Sequence, residues 1–269
     1  MATIMAVHAH PDDEATSTGG VLARYAAEGH TTVLVTCTNG EFGDSPRGLK
    51  PEDDGHDPDE VVAHRMGELG LSCEILNISH LELLGYRDSG MEGWSHNEHP
   101  DSFWAVPVEQ SAAKLGALMD HYKPDVVITY NEYGFYGHPD HIQANRITLA
   151  ALEQRPEVAK LYYTAIPISR LRAFGEALEA QGIDNPFTDE ERERIGTPDE
   201  LIGAVIDVSA YALDKFKALS AHASQTESSF FLELGAERFA EAFGTETFVR
   251  VRDSTAQTAV ESSLLTGLT

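Results

Sequence analysis

The 269-residue chain is poor in positive charge, with 19 Lys and Arg against 44 Asp and Glu and a formal net charge of −25. The field of such a chain repels polyanions, which excludes nucleic acid and an anionic membrane surface as partners. It has only two cysteines, Cys37 and Cys73, too few for a disulfide framework or a cysteine-based metal site. No apolar run approaches the ~20 residues of a membrane span. The N-terminal MATIMAVHAHPDDE has no basic stretch leading into an apolar core and a cleavage site. The expected compartment is therefore the cytoplasm, where Asn77-Ile78-Ser79 is a chance match to a glycosylation acceptor. Three chemical signatures are missing as well. There is no G-x-G-x-x-G dinucleotide fingerprint, no phosphate-cradling G-x-x-x-x-G-K-[ST] loop, and no G-x-S-x-G elbow of a serine hydrolase.

What is present alternates between strand and helix. Residues 3–8 (TIMAVH) form a short apolar run. Residues 15–29 place Val21, Leu22, Tyr25 and Ala26 on one helical face, and 31–38 (TTVLVTCT) are β-rich. The pattern recurs: a helix from Asp57-Pro58-Asp59 to about Gly70, a strand near 73–78, a helix over 109–122, a strand over 125–131, a helix over about 140–153 and a strand over 161–167. Such alternation predicts a Rossmann-like α/β fold, mostly parallel, with helices on both faces of the sheet. The chain reads as a single domain, 1–269, with a less regular part from about 169. There, 169–181 reads as helix, 183–200 as a solvated loop or short helix, 202–208 and 247–252 as strands, and 209–222 as helix. Segments 42–58 and 85–107 are long loops, which a compact fold tolerates mainly when they serve function.

Two motifs fall where α/β sheets bind ligands, just beyond the carboxyl ends of strands. Ala9-His10-Pro11-Asp12-Asp13-Glu14 follows the first strand, and Gly137-His138-Pro139-Asp140-His141 follows the strand over 125–131. Imidazole and carboxylate donors suit zinc, and catalytic zinc takes three protein ligands and leaves a position for water. His10 and Asp13 with one His of the second motif would make a two-His, one-carboxylate site at the C-terminal edge of the strands. A neighbouring carboxylate outside the ligand set, such as Asp12, could take a proton from water. His138 could stabilise an oxyanion or protonate a leaving group. A lone His-Pro-Asp commonly makes only a turn; two such motifs, each after a strand, favour the metal site. By contrast, His56, Asp57, Asp59 and His64 read as a loop and helix start, Gly19-Gly20 as close helix–sheet packing, and the acidic run 189–193 as a solvated face.

The paired motifs resemble the LmbE-like, or PIG-L-type, N-acetylglucosamine deacetylases, with matching segments to about residue 150 and weaker ones near 222–248. The resemblance implies a Rossmann-like fold and a zinc hydrolase that removes an acyl group from an amino sugar. By resemblance the zinc ligands are His10, Asp13 and His141, with Fe2+ or another divalent ion compatible with the same donors. Asp12 matches the general base. His138 matches the residue that stabilises the tetrahedral intermediate or assists the amine, with Asp140 placed to orient it. Tyr136 resembles a tyrosine that contacts the oxyanion. The implied partner is a small N-acyl amino sugar, and relatives often assemble, so a homo-oligomer fits.

Within that family, Gly85-Tyr86-Arg87-Asp88-Ser89-Gly90-Met91 and Ala221-His222-Ala223-Ser224-Gln225 resemble the mycothiol branch. That branch contains the deacetylase of GlcNAc-inositol and the amidase of mycothiol S-conjugates. Asp88 is expected to bind substrate hydroxyls. Arg65 either does the same or pairs with Glu68 one turn on. Asn131 stands where Asp is expected and Phe135 where Gly is. The loop FGDSPRGLKPEDDGHD departs from the GlcNAc-inositol deacetylase pattern, and Phe230-Phe231 leans towards the conjugate amidase. A natural-product N-acyl amino sugar is a further alternative. A non-catalytic sugar- or metal-binding protein would be expected to have lost ligands or base, and all are present.

Overall fold

A computed structural model describes residues 1–180, 182, 185, 188–225 and 229–268, the side chains of 229 and 230 aside. Seven strands form one sheet: β1 (Thr3–His8), β2 (Thr31–Thr38), β3 (His80–Tyr86), β4 (Val126–Thr129), β5 (Lys160–Ala165), β6 (Ala204–Asp207) and β7 (Thr245–Asp253). Their spatial order is β3-β2-β1-β4-β5-β7-β6. The first five are parallel, while β7 runs antiparallel to both β5 and β6. Ten helices are described: α1 (Gly19–Ala27), α2 (Pro58–Ile75), α3 (Val108–Tyr122), α4 (Gly134–Gly137), α5 (Pro139–Glu153), α6 (Ile168–Glu179), α7 (Asp189–Ile195), α8 (Ala212–Ala221), α9 (Ser229–Glu233) and α10 (Gly235–Phe243). None of them is long and apolar enough to cross a membrane.

The two-residue period of a strand divides the core between the faces. Met5 and Val7 of β1 join Val33, Val35, Leu115 and Ile147 on one side. Ile4 packs with Val21 and Ile128, and Ala6 with Leu22, Leu34 and Leu69, on the other. Helices therefore cover both faces, and the central strands are apolar throughout, as parallel strands buried on two sides must be. Gly20 allows close packing: a Cβ there would lie 2.5 Å from Val208 Cγ2. Its N–H and that of Val21 donate to Glu246 of β7, at 2.9 and 2.8 Å, and Lys215 Nζ meets the same carboxylate at 2.7 Å. A carboxylate from the C-terminal part thus caps the first helix.

One expected element moves. Residues 73–78 do not form a strand; α2 runs on to Ile75, the turn at Asn77 follows with φ +53°, and the strand is His80–Tyr86. Leu69, Cys73 and Leu76 are buried at helical spacing, so the short apolar run belongs to a helix face. The start of α2 is as expected: Pro58 sits in the first turn and the Asp57 side chain accepts from the Asp59 N–H at 3.1 Å. The charged run 189–193 lies in α7, which buries none of its residues. Of the expected loop or helix over 183–200, residues 183, 184, 186 and 187 lie outside the described residues, as does residue 181 at the end of the helix expected over 169–181. Cys37 and Cys73 are buried free thiols.

Candidate metal centre and active site

Strand order reverses between β1 and β4, and both His-Pro-Asp motifs emerge from the carboxyl ends of these neighbours. That is the switch point at which open α/β sheets bind ligands. GHPDH is a helix start. His138 is the N-cap of α5, its Nδ1 accepting the Asp140 N–H at 3.1 Å, and Pro139 occupies the first turn. AHPDDE leads into a single π-helical turn, Glu14–Thr18, before α1, a local geometry that recurs at functional sites.

These turns bring His10 Nδ1 to 3.3 Å from His141 Nε2. Asp13 completes the set, with Oδ2 3.5 Å from His10 Nδ1 and Oδ1 3.5 Å from His141 Nε2. A tetrahedral ion with ligand distances of ~2.0–2.1 Å holds its donors ~3.3 Å apart, which is the spacing of the two imidazole nitrogens, while Asp13 approaches them with one oxygen each. His138 also belongs: donors of His10, His138 and His141 all lie within 4.8 Å of one another, as do those of His10, Asp88, His138 and Asp140. The group could hold a metal ion.

The outer contacts set the direction of His10. Its Nε2 lies 3.2 Å from Asp140 Oδ2 and 3.8 Å from Asp88 Oδ1. An N–H at Nε2 facing these carboxylates would leave the Nδ1 lone pair free for a metal, as in carboxylate–histidine support of a ligand. Asp140 is in turn held by Ser89, whose N–H donates at 2.9 Å and whose hydroxyl donates to the other oxygen. The Asp140 carboxylate was expected to orient His138. It hydrogen-bonds to His10 instead, and only its backbone N–H is hydrogen-bonded to His138.

The electrostatics favour a cation. Burial alone would lower the pKa of His10, but Asp88, then Asp13 and Asp140, raise it well above the usual imidazole value. Burial would raise that of Asp13, yet His141 first and then His10 hold it well below the carboxylate range. Burial lowers His141 to about 4, and burial with the neighbouring His10 and His141 holds His138 well below the usual imidazole value. Both are therefore neutral imidazoles near pH 7, the form that ligates metal.

Asp12 sits beside this group with φ +121°. Burial pushes its pKa up to about 6 against the pull of Arg65. Arg65 does not pair with Glu68. It is only 3 % exposed and lies 3.2 Å from Asp12 Oδ2, with its guanidinium also donating to the carbonyls of Pro11 and of Gly40, the latter at 3.0 Å. Gly40, at φ +71°, makes room: a Cβ there would meet Arg65 Nη1 at 2.4 Å. Glu68 instead accepts from Ser224 N–H at 2.8 Å and Ser224 Oγ at 2.7 Å. Asp88 is buried, and accepts from the Gly90 N–H at 2.8 Å and the Phe42 N–H at 3.4 Å. The Tyr136 ring stands edge-on to His141 and His138, with centroids 5.1 and 6.0 Å away.

Asn131 Oδ1 accepts from the N–H groups of Tyr133 and Phe135, at 3.1 and 3.0 Å, so an amide oxygen suffices for the turn. That turn forces Phe135 to φ +66°, ψ −69°, a strained γ-turn geometry. Three residues acquire roles that the motifs did not assign. Tyr130 stacks on His141 at 4.1 Å, and its hydroxyl accepts the Ala9 N–H at 2.9 Å. Glu14 is fully buried against His222. Gln225 donates to the Asp44 carbonyl at 3.2 Å, tying down the 42–58 loop. Tyr130 had a signal, an aromatic closing an apolar strand; the partners of the other two lie some 180 to 210 positions away.

A cavity of about 1050 Å³ joins this polar floor to a second, apolar region. Its lining passes Thr164–Ile166 at the end of β5 and reaches Leu171, Phe174 and Leu178 of α6 and Phe239 and Phe243 of α10. Phe231 lines it as well, while the Phe230 side chain lies outside the described residues. His56, Asp57, Asp59 and His64 form no such site: His56 reaches the Gly43 carbonyl at 2.9 Å, Asp57 caps α2, and His64 meets Glu68 at 3.4 Å.

The sheet order and the His–carboxylate group at its switch point define an α/β protein with a candidate metal centre. Residues 5–152 match the PIG-L family, described as GlcNAc-PI de-N-acetylase. The chain is 39 % identical to a 1D-myo-inositol 2-acetamido-2-deoxy-alpha-D-glucopyranoside deacetylase of Geodermatophilus obscurus, over 93 % of this chain and 92 % of that one. It is 40 % identical to the protein of the same name in Salinispora arenicola, over 91 % and 83 %. This chain belongs to the PIG-L family. The solved N,N'-diacetylchitobiose deacetylase of Pyrococcus horikoshii shares the fold, with a TM-score of 0.60 at 18 % identity, covering 96 % of this chain and 86 % of that one. The hydratase GalB of Pseudomonas putida shares it too, at 0.59 and 17 %, covering 97 % and 100 %. The fold alone therefore does not choose the reaction.

Proposed function

We propose that this protein is a zinc-dependent N-deacetylase that cleaves the acetamide of a GlcNAc-inositol-like substrate, releasing acetate and the free amine. The observation that carries the reading is the convergence of His10 Nδ1, Asp13 and His141 Nε2 at spacings of 3.3 and 3.5 Å, beside an Asp12 that is not one of them. His10, Asp13 and His141 would hold the ion, and Fe2+ suits the same donors. A divalent ion there supplies Lewis acidity, polarising the amide carbonyl and making a water acidic enough to ionise near neutral pH. Asp12, with a pKa of about 6, takes the proton of the attacking water and can return it to the departing amine. His138 and Tyr136 face the same cavity and donate to the developing oxyanion. Asp140 acts through His10. Asp88 binds a substrate hydroxyl at the cavity wall, and Arg65 supports Asp12 and the adjoining loops.

The relatives named above as GlcNAc-inositol deacetylases span nearly the whole chain, which favours that substrate. The cavity favours a second one. Its apolar region, with Phe135 also in the cavity lining, suits an apolar substituent, such as the one on sulfur in a mycothiol S-conjugate, better than a polyol alone. We read the chain as one domain, because β6 and β7 complete the sheet begun by β1. The deciding experiment incubates zinc-loaded protein with GlcNAc-inositol and a mycothiol S-conjugate together, with zinc-free protein as control, and reads the products by mass spectrometry. Metal-dependent loss of either compound supports the hydrolase and the preferred one names the substrate. Survival of both overturns the mycothiol-branch assignment.

A further inference from the structure

The Asp12 backbone, at φ +121°, occupies a region that L residues rarely enter. Such a conformation persists only where its surroundings over-determine it. Here the Asp12 N–H donates to Glu14 Oε2 at 3.0 Å. Glu14 has no exposed surface, and its other oxygen receives His222 Nε2 at 2.7 Å and the Ser72 hydroxyl. Three remote segments thus meet beneath one peptide: the first motif, α2 and the stretch just after α8. Both Glu14 oxygens are engaged. A buried carboxylate is costly unless fully hydrogen-bonded, and here three donors satisfy it.

We propose that the buried Glu14–His222 pair is a positioning device for Asp12. It pins the Asp12 peptide in its left-handed conformation, so that the carboxylate meets Arg65 and the cavity, and it governs turnover rather than affinity for metal or substrate. This rests on the reading of Asp12 as base, and the tests separate the two. A Gln at position 14 has one oxygen for three donors, so Glu14→Gln should release the Asp12 peptide. His222→Ala removes the donor that seats Glu14.

In the metal-loaded protein acting on GlcNAc-inositol, both variants should lose roughly 10- to 100-fold in kcat, the scale of a catalytic group misplaced by about an ångström. KM should stay within about threefold, and bound metal per chain should be unchanged. His222→Gln, which keeps an N–H donor, should recover most of the loss. Wild-type kcat in folded Glu14→Gln, a rise in KM alone, or loss of metal from both variants overturns the proposal. If neither variant folds, Ser72→Ala removes only one of the three donors: a selective fall in kcat supports the device, and wild-type kinetics overturns it. A crystal structure of Glu14→Gln, or of Ser72→Ala in that case, tests the pin without any substrate. Movement of Asp12 out of positive φ supports the pin and an unchanged Asp12 overturns it. A wild-type protein that leaves GlcNAc-inositol intact counts against the deacetylase reading and leaves that structural test standing.

Discussion

His10 Nδ1 lies 3.3 Å from His141 Nε2 although 131 positions separate the two residues. The contact exists because β1 and β4 are neighbours in the sheet and each ends in a turn that directs an imidazole across the switch point. If this pair and Asp13 hold the ion, Asp13→Ala and His141→Ala should each reduce bound zinc from about one per chain towards none and abolish turnover. Asp12→Asn should keep the metal and lose ~10²- to 10⁴-fold in rate, the scale of a general base. Metal analysis by plasma mass spectrometry, alongside turnover, separates the two classes of variant.

Chelation should act on stability as well as on activity. An ion bound only by the folded chain stabilises it by mass action, about 2.7 kcal/mol at a free concentration 100 times Kd. Treatment with a strong chelator should lower the melting temperature and abolish turnover together, and added zinc should restore both. A melting temperature indifferent to chelator would mean that the folded chain holds no such ion.

Arg65 is buried and pairs with the partly exposed Asp12, and its loss leaves the Pro11 and Gly40 carbonyls without their donor. Orphaning these buried acceptors costs about 1–3 kcal/mol. Arg65→Met should show that loss in a denaturant titration of the metal-free protein. Its KM should change less than its kcat if the guanidinium serves Asp12 rather than substrate. A raised KM at unchanged kcat would return Arg65 to the substrate hydroxyls.

Phe135 inverts an ordinary rule. At most positions Ala is more stabilising than Gly, but a φ of +66° reverses the order. Phe135→Gly should be more stable than Phe135→Ala by about 1 kcal/mol in urea unfolding. Both should shift preference away from substrates with apolar substituents, measured as a ratio of kcat/KM values.

Much of the fold was legible because its physics is local. TIMAVH and TTVLVTCT are strands buried on both faces, so continuous apolar runs mark them, and Asp57-Pro58 starts a helix by chemistry confined to one turn. Residues 73–78 were not legible: a short apolar run suits a strand or a buried helix face, and only the packing of Cys73 and Leu76 decides. The site divides the same way. The donor atoms were visible in AHPDDE and GHPDH, whose residue types dictate what they can ligate. That Asp140 turns to His10, that Arg65 leaves Glu68 for Asp12, and that His222 reaches Glu14 were not visible, since each joins residues 53 to 208 positions apart.

By itself, then, the amino-acid sequence determined the strand–helix alternation, the donor set and the strand ends from which it emerges. The tertiary structure alone decided which carboxylate supports which imidazole, the strained backbone of Asp12 and Phe135, and the apolar reach of the cavity. The reason is physical. Propensity and ligand chemistry belong to single residues and turns, whereas hydrogen-bond partners, desolvation and cavity shape arise only when remote segments are packed against one another.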